Sequence, residues 1–296
     1  KIKSNNKETF IHLSFFSPSG FENIKHNFKD ADLITYLPID SKRNAREFIK
    51  LSKPSIAIFT KYEFWFNLLN ELNQKEIPII LISSIFRKDQ LFFKPFGTWF
   101  LKHLRMFKMI FTQESNSQKL LDYKDIKSIV AGDTRFDRVF SISQKTIELP
   151  ISKENRTIIF GSSWEMEENF AVKASEDFKN LKIIIAPHEI NDDKINHLKG
   201  RFKNNTILWD ELLKHPESNF EVLIINKIGL LSSLYFYSNI AFIGGGFGKG
   251  IHNILEAAVF GNPILFGPKY KKFNEAKDLI NLGGAKSINS YEEFKK

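Results

Sequence analysis

The chain has 296 residues, of which 42% are apolar and 26% are charged, and this composition excludes a disordered or fibrous protein and provides enough material for two domains. It contains no cysteine, which excludes disulfides and thiolate chemistry and fits the cytosol. The net charge is +9, but only eight of the 43 Lys and Arg residues are Arg, and the lysines are scattered, so nucleic acid is not the expected partner. The charge leaves two interpretations open, an ordinary solvated surface or attraction to an anionic lipid, phosphate or nucleotide.

Short β-branched or aromatic segments alternate with longer helical patterns, as they do in βαβ units. In the first half, the predicted strands are residues 10–15, 33–36, 55–60, 78–83 and 109–112. The helical patterns between them include residues 44–51 and 64–73. We expect these strands to form one open α/β sheet.

A polar stretch without apolar periodicity, residues 141–155, follows a further predicted strand at 128–131 and is interpreted as a linker. The second half then contains predicted strands at residues 156–161, 181–186, 206–208, 222–225, 240–244 and 263–266. The sequence therefore predicts two Rossmann-like, doubly wound α/β domains, residues 1–140 and 156–296, that face each other across a cleft. Ligands of such sheets bind at the carboxyl ends of the strands.

The most informative segment is a loop with five glycines, residues 244–250, which follows one of these strands and leads into a helix predicted to begin at about Ile251. Glycine lets the backbone approach a ligand and present N–H groups, and a helix N-terminus favours an anion such as phosphate. Lys249 adds positive charge, and Glu256 is placed to accept hydrogen bonds from a ribose. The pattern indicates a nucleotide site, and the alternative is a tight turn that only permits strand–helix packing.

The glycine spacing matches neither of the two common phosphate-binding motifs. G-x-G-x-x-G does not fit, and a P-loop would require glycine where Ile243 stands and Ser or Thr where Gly250 stands. We predict no metal site, because Asp30 and Asp32 precede a strand and Asp192-Asp193 has no His at ligand spacing.

Other predicted strand ends carry polar side chains that could line the same edges. In the second half these are a basic loop, residues 267–273, expected beside the glycine loop, and the side chains of Ser162, Ser163 and His188. In the first half they are a strand-to-helix loop with Ser17, Ser19 and Gly20, and Glu63 directly after the strand 55–60. Each of these also fits an ordinary solvated residue.

Residues 92–108 interleave aromatic and basic side chains, among them Lys94, Lys102 and Lys108. This pattern is typical of a helix on an anionic lipid surface, and it equally fits a core helix with solvated lysines.

Several blocks together resemble one family. Phe242-Ile-Gly-Gly-Gly246 followed by Gly250-Ile-His-Asn-Ile-Leu-Glu-Ala-Ala258, and then Gly261-Asn-Pro-Ile-Leu-Phe-Gly-Pro268, is similar to the signatures G-G-H-N-x-L-E-P-A and G-x-P-V-x-x-G-P of the 3-deoxy-D-manno-octulosonate (Kdo) transferases. Tyr62-Glu-Phe-Trp-Phe-Asn67 resembles the E-x-W-x-N segment of that family. Residues 132–137, 161–165 and 188–189 match further blocks in the same order.

The resemblance implies a glycosyltransferase of the GT-B type that moves Kdo from CMP-Kdo to a lipid A precursor, with inversion and without a metal or other cofactor, at the cytoplasmic face of the bacterial inner membrane. It implies that Asn253 and Glu256 hold the phosphate and ribose of the donor. The rest of the donor pocket is then formed by Gly246, Gly248, Lys249, His252, Ser162, Ser163 and His188. The acceptor would meet the first half, with Glu63 and the loop of Ser17, Ser19 and Gly20 on the cleft.

The chain departs from the family pattern in ways that limit the expected activity. The family's general base is a glutamate in an S-x-G-E motif after a membrane anchor, and this sequence contains neither, so no catalytic residue is assigned and little turnover is expected. We interpret the difference as a missing amino-terminal portion, and we expect the final helices of a GT-B enzyme to be missing too. Ala186 stands where many members have arginine. The alternatives are another GT-B sugar-nucleotide enzyme, such as a transferase or an epimerase, and a catalytically silent nucleotide-sugar-binding homologue.

Overall fold

The computed structural model describes residues 2–25, 28, 30–144, 148, 150–151 and 156–296. The chain divides into two compact units, Lys1–Thr134 and Arg135–Lys296. The boundary lies ahead of the predicted linker, because helix α7 (Thr134–Ser143) buries Val139 in the core of the second unit. Much of the predicted linker, namely residues 145–147, 149 and 152–155, lies outside the described residues.

The first unit consists of parallel strands that alternate with helices. The strands are β1 (His12–Phe15), β2 (Leu33–Tyr36), β3 (Ala57–Thr60), β4 (Ile79–Ser84), β5 (Met109–Thr112) and β6 (Ser128–Val130). The helices are α1 (Ile2–Asn5), α2 (Pro18–Ile24), α3 (Lys42–Ser52), α4 (Phe66–Gln74), α5 (Thr98–Leu104) and α6 (Ser115–Asp122). The strands form two sheets, β1-β2 and β3-β4-β5-β6, and not the single sheet that was predicted. Periodicity identifies a strand but does not identify its neighbours.

The core of the first unit lies between the larger sheet and its helices. Leu69 and Leu72 of α4, Leu81 of β4, Ile110 of β5 and Leu121 of α6 are almost completely buried. Helix α3 begins with Ser41 as its cap, since the Ser41 hydroxyl accepts a hydrogen bond from the amide N–H of Asn44 at 3.2 Å. These contacts hold the loops at the carboxyl ends of the strands in place.

The helix predicted over residues 92–108 is interrupted. A 3₁₀ turn at Leu91–Phe93 and helix α5 are separated by residues 94–97, because Pro95 lacks a backbone N–H. The turn is tight at Gly97, where a Cβ would come within 1.9 Å of the Leu91 carbonyl oxygen. Phe92 is buried, whereas Phe96 is 73% exposed and Trp99 is 53% exposed. In the described part of the chain, no helix is both long and apolar enough to cross a membrane.

The second unit has one larger sheet. Its strands are β7 (Thr157–Ser163), β8 (Lys182–Pro187), β9 (Thr206–Leu208), β10 (Val222–Ile224), β11 (Ile240–Ile243), β12 (Ile264–Phe266) and β13 (Ala285–Ser287). After α7, its helices are α8 (Glu165–Asp177), α9 (Asp192–Gly200), α10 (Trp209–Lys214), α11 (Leu231–Leu234), α12 (Leu255–Ala258), α13 (Asn274–Asn281) and α14 (Tyr291–Lys295). The strand order is β13-β12-β11-β7-β8-β10-β9, and all pairs are parallel.

Successive side chains of the central strands enter hydrophobic cores on opposite faces of this sheet. On β7, Ile159 joins one core, and Ile158 and Phe160 join the other. Burial on both faces explains why these strands read as continuous apolar runs in the sequence. The structure confirms each of the predicted strands with small shifts at the ends, and it adds β13, whose sequence Ala-Lys-Ser carries no strand signal.

Candidate functional site

The carboxyl ends of β8, β7, β11 and β12 lie side by side, because these four parallel strands are consecutive in the sheet. The strand order reverses between β11 and β7, so the connections from these two strands leave on opposite faces of the sheet. Such a switch point leaves a crevice at the strand ends. The glycine loop, residues 244–250, follows β11 at this position, as predicted.

Two glycines are required by close backbone approach. A Cβ on Gly244 would lie 2.0 Å from the carbonyl oxygen of Ser162, and a Cβ on Gly246 would lie 2.5 Å from the amide nitrogen of Gly267. The glycine loop therefore packs closely between the end of β7 and the segment that follows β12.

Part of the hydrogen-bonding capacity of the glycine loop is used inside the protein. The Gly245 amide N–H donates to the Glu167 carboxylate at 2.9 Å, and the Gly248 and Gly250 amides donate to the Gly245 carbonyl at 3.0 and 3.1 Å. The expectation that the glycines present free N–H groups to a phosphate is thus wrong for these three positions. Gly248 can line a ligand, but its amide already has an acceptor.

The helix predicted from about Ile251 begins later, at Leu255. His252 and Asn253 precede it, and the Asn253 side-chain oxygen accepts a hydrogen bond from the Leu255 amide at 3.2 Å. Asn253 therefore lies at the end of the loop and not in the helix. A side chain that accepts a hydrogen bond from the backbone N–H two residues later competes with helical geometry.

Asn253 and Glu256 nevertheless meet, although Asn253 lies ahead of the helix. The Asn253 amide donates to one carboxylate oxygen of Glu256 at 2.9 Å, and the hydroxyl of Ser232, on α11, donates to the other at 2.7 Å. The result is a half-buried, oriented carboxylate whose oxygens retain capacity for further donors. Ser232 was missed, because no feature of its own segment relates it to Glu256.

Three aromatic rings meet at the ends of β7, β8 and the glycine loop. The Trp164 indole N–H donates to Nε2 of His252 at 3.0 Å. The His188 ring stacks on both, with centroid distances of 4.6 Å to Trp164 and 4.4 Å to His252. The structure thus brings together His188 and His252, which were predicted, and adds Trp164.

A buried carboxylate, Glu167, supports this arrangement and was not predicted. Its side chain is only 1% exposed, and besides Gly245 it accepts from the amide N–H of Trp164 at 3.0 Å. Burial raises the pKa of this carboxyl, although the backbone N–H groups that donate to it act in the opposite direction. A glutamate three residues into a helix is a known capping signal, which could have indicated the contact with Trp164.

Ser162 and Ser163 are the last two residues of β7, but they differ in their surroundings. Ser162 has a φ of 51°, in the left-handed region, and its carbonyl lies against Gly244. Ser163 is buried, and its hydroxyl has no hydrogen-bond partner among the described residues. Its carbonyl oxygen accepts from the His188 amide at 2.9 Å, which fixes His188 at the site.

The basic loop, residues 267–273, lies beside the glycine loop, and this prediction is confirmed. The Lys269 amide donates to the Gly246 carbonyl at 2.9 Å, and the Phe273 ring lies against Gly250. Lys249, Lys269, Lys271 and Lys272 are exposed around this contact. These four lysines place positive charge beside the glycine loop.

In the first unit, the two predicted segments also lie close together. The rings of Phe16, after β1, and Trp65, after β3, are 4.7 Å apart. The hydroxyls of Ser17 and Ser19 are 2.7 Å apart, and the Glu63 carboxylate accepts from the Trp65 indole at 2.6 Å. Helix α2 already begins at Pro18, so Ser19 and Gly20 lie in its first turn and not in a loop.

No group of three or more His, Asp or Glu side chains suited to a metal ion occurs among the residues that the structure describes. The expectation of a metal-independent reaction remains a prediction.

His252 should make the stability of the second unit depend on pH. Burial lowers its pKa, and the neighbouring His188 adds to the effect. The folded state therefore binds fewer protons at this site than the unfolded chain, and the free energy of unfolding decreases as pH falls below about 6.5. We expect His252→Asn to lose this part of the slope in urea unfolding between about pH 5 and pH 8. Equal slopes for the wild type and the variant would contradict the prediction.

Two solved structures share the fold of this chain. A UDP-GlcNAc 2-epimerase from Neisseria meningitidis aligns over 97% of this chain and 82% of its own, with a TM-score of 0.62 and 16% identity. A putative UDP-N-acetylglucosamine 2-epimerase from Listeria monocytogenes aligns over 99% of this chain and 79% of its own, with a TM-score of 0.58 and 15% identity. At this identity the similarity concerns the fold, which is α/β of the Rossmann-like GT-B type, as predicted.

Sequence comparison shows similarity to one family. Residues 1–138 match the family model of 3-deoxy-D-manno-octulosonic-acid transferase (kdotransferase). The 3-deoxy-D-manno-octulosonic acid transferase of Aquifex aeolicus is 28% identical over 290 residues, which are 96% of this chain and 76% of that protein. The enzyme of the same name from Rickettsia prowazekii is 28% identical over 282 residues, 88% of this chain and 58% of the relative. These findings support the Kdo transferase family, which the motifs of the sequence also resemble.

The chain is shorter than these relatives. A bifunctional glycosyltransferase/methyltransferase of Fusobacterium nucleatum is 25% identical over 304 residues, which cover 97% of this chain but only 47% of that protein. The chain therefore spans between about half and three-quarters of the length of these relatives.

Proposed function

We propose that the protein is an inverting glycosyltransferase that moves Kdo from CMP-Kdo to a hydroxyl of a lipid A precursor. The observation that carries the proposal is the Ser232–Glu256–Asn253 cluster next to the glycine loop, at the switch point of a Rossmann-like sheet. A carboxylate held by two neutral donors at this position suits the hydroxyls of a ribose. The similarity to the Kdo transferase family supports Kdo as the transferred group.

In this proposal the second unit binds the donor. Glu256 accepts hydrogen bonds from the ribose, and Asn253, His252 and the cations around the glycine and basic loops face the phosphate. The bond to the anomeric carbon of Kdo breaks with CMP as the leaving group, so positive charge and N–H donors near the phosphate stabilise the charge that develops. Lys249 and Lys269 are suitable cations. Lys249 lies in the glycine loop itself, and the Lys269 amide donates to the Gly246 carbonyl of that loop.

The first unit binds the acceptor in this proposal, with Glu63 and Ser17 near the reacting hydroxyl. The two segments lie together through Phe16 and Trp65. The acceptor is a lipid, and exposed Phe96 and Trp99 alternate with exposed Lys94 and Lys102 around the start of α5. We propose that this surface contacts an anionic membrane at its cytoplasmic face.

The membrane contact can be tested by charge reversal. Each lysine near an anionic surface contributes about 1 kcal/mol, so replacing Lys94, Lys102 and Lys108 with Glu should weaken binding to phosphatidylglycerol vesicles by at least about tenfold in cosedimentation. The matched control replaces Lys42, Lys50 and Lys119, which are exposed in the same unit, and should bind nearly as the wild type does. Equal binding of the two triple variants would reject this surface.

The donor site can be mapped by NMR. On titration of ¹⁵N-labelled protein with CMP, we expect the amide shifts to change in the glycine loop, in residues 252–256, in the basic loop and at Trp164. Titration with UDP should give smaller changes at the same concentrations. Changes confined to the face between α8 and α9, or larger changes with UDP, would argue against the proposed donor.

A further inference from the structure

The rings of Trp164 and His252 are nearly parallel and are joined by a hydrogen bond. Their planes differ by 10°, their centroids are 6.4 Å apart, and the indole N–H points at Nε2 of His252 over 3.0 Å. Because both nitrogens of this hydrogen bond lie on ring edges and the ring planes are nearly parallel, the two rings meet edge to edge. His188 lies over the junction, at similar distances from both rings.

This hydrogen bond decides which nitrogen of His252 carries the proton. The indole nitrogen is only a donor, so Nε2 of His252 must be the acceptor, and in the neutral ring the proton then lies on Nδ1. A second proton on Nε2 would face the indole N–H directly. The contact therefore selects both the neutral form of the ring and one of its two tautomers.

The same contact fixes the direction of the remaining donor. The Cδ2–Nε2 edge of His252 faces Gly245, where a Cβ would lie 3.0 and 3.1 Å from these two atoms. Nδ1 is the ring vertex opposite that edge, so its N–H points away from Gly245 and Trp164. A glutamine or asparagine in place of His252 would also carry an N–H donor, but an edge-to-edge contact with Trp164 would not orient it.

The backbone on both sides of this contact is anchored. Glu167 accepts from the amides of both Trp164 and Gly245, and the His252 amide donates to the Gly244 carbonyl at 3.1 Å. One buried carboxylate thus ties the start of α8 to the loop that carries His252. An N–H donor held in this way needs little reorganisation when it meets an anion.

We propose that Trp164 is a positioning residue that locks His252 in the Nδ1–H form, so that the donor phosphate meets one fixed, neutral N–H at this point of the site. The identity of the ligand rests on the proposed function, whereas the locking of the tautomer does not. Trp164 does not touch the reacting atoms in this proposal, and it acts through His252.

The test is the tautomer of His252 in protein labelled with ¹⁵N-histidine, read from the long-range couplings and ¹⁵N shifts of the ring. The wild type should show Nδ1–H. Trp164→Phe keeps an aromatic ring over His188 but removes the N–H, and it should shift His252 towards the Nε2–H form that a free histidine side chain favours in water. Trp99→Phe removes an exposed indole in the first unit and should leave His252 unchanged.

The ligand is tested separately with CMP. Loss of the locked donor should weaken CMP binding to Trp164→Phe by about three- to tenfold, the cost of one hydrogen bond, with unfolding by urea showing that the variant is folded. Nε2–H in the wild type, or Nδ1–H retained in Trp164→Phe, would overturn the inference. A tautomer change without any effect on CMP affinity would overturn the contact with the phosphate. If the wild type shows Nδ1–H but binds no CMP, the locking stands and the proposed function fails.

Discussion

Gly244→Ala is expected to destabilise the second unit by about 3 kcal/mol or more, a large effect for a single methyl group. The added Cβ would lie 2.0 Å from the Ser162 carbonyl oxygen and 2.9 Å from the Ser163 Cα. Both atoms belong to the backbone at the end of β7, and Gly244 directly follows β11, the adjacent strand, so neither side can move without disturbing the sheet. Urea unfolding followed by circular dichroism should show a second unit that is unfolded or unfolds at much lower urea.

The control lies in the same loop. Gly248→Ala adds the same methyl group four residues later, where the nearest atom is 3.6 Å away, an ordinary contact distance. Its unfolding curve should stay close to that of the wild type. If Gly244→Ala were as stable as Gly248→Ala, the close packing of the glycine loop against β7 would be wrong.

Glu256→Ala should produce the largest loss of ligand affinity, at least about thirtyfold for CMP. The carboxylate accepts from Asn253 and Ser232 and, in the proposed function, from the ribose hydroxyls. Hydrogen bonds to a charged group contribute about 1.5–3 kcal/mol, and the variant also leaves the two protein donors without their acceptor. Isothermal titration calorimetry of CMP against the wild type and the variant measures the loss.

Glu292→Ala is the matched control for this variant. It removes an exposed carboxylate from α14 of the same unit, and it should leave CMP affinity unchanged. A folded Glu256→Ala protein with wild-type affinity would show that Glu256 only organises α11 and the start of α12. That result would favour the interpretation of the glycine loop as a packing turn.

The fold was largely predictable because burial on both faces leaves an unambiguous pattern in the sequence. A short apolar run bounded by polar turns, such as Ile183-Ile-Ile185 of β8, predicts a central strand that is buried on both faces. β13 could not be predicted, since three residues at a sheet edge need little apolar character. The separation of β1-β2 from β3–β6 could not be predicted either, because pairing depends on contacts between segments distant in the sequence.

For the candidate site, the sequence indicates which loops meet but not how they bond. Four parallel strands bring the Ser162, His188, Gly244 and Lys269 segments to one edge, which follows from topology alone. Glu167 was missed because a helical glutamate among several others gives no sign that it is buried. The predicted helix start at Ile251 was wrong, because Asn253 forms a local turn in which its side-chain oxygen accepts from the Leu255 amide, and the helix begins only at Leu255.

The central claim is that the second unit binds a cytidine nucleotide through the glycine loop and Glu256. Calorimetric titration of the wild-type chain with CMP and with UDP, under the same conditions, tests it most directly. We predict that CMP binds and that UDP binds at least about tenfold more weakly. Tighter binding of UDP, or no binding of either nucleotide, would contradict the account.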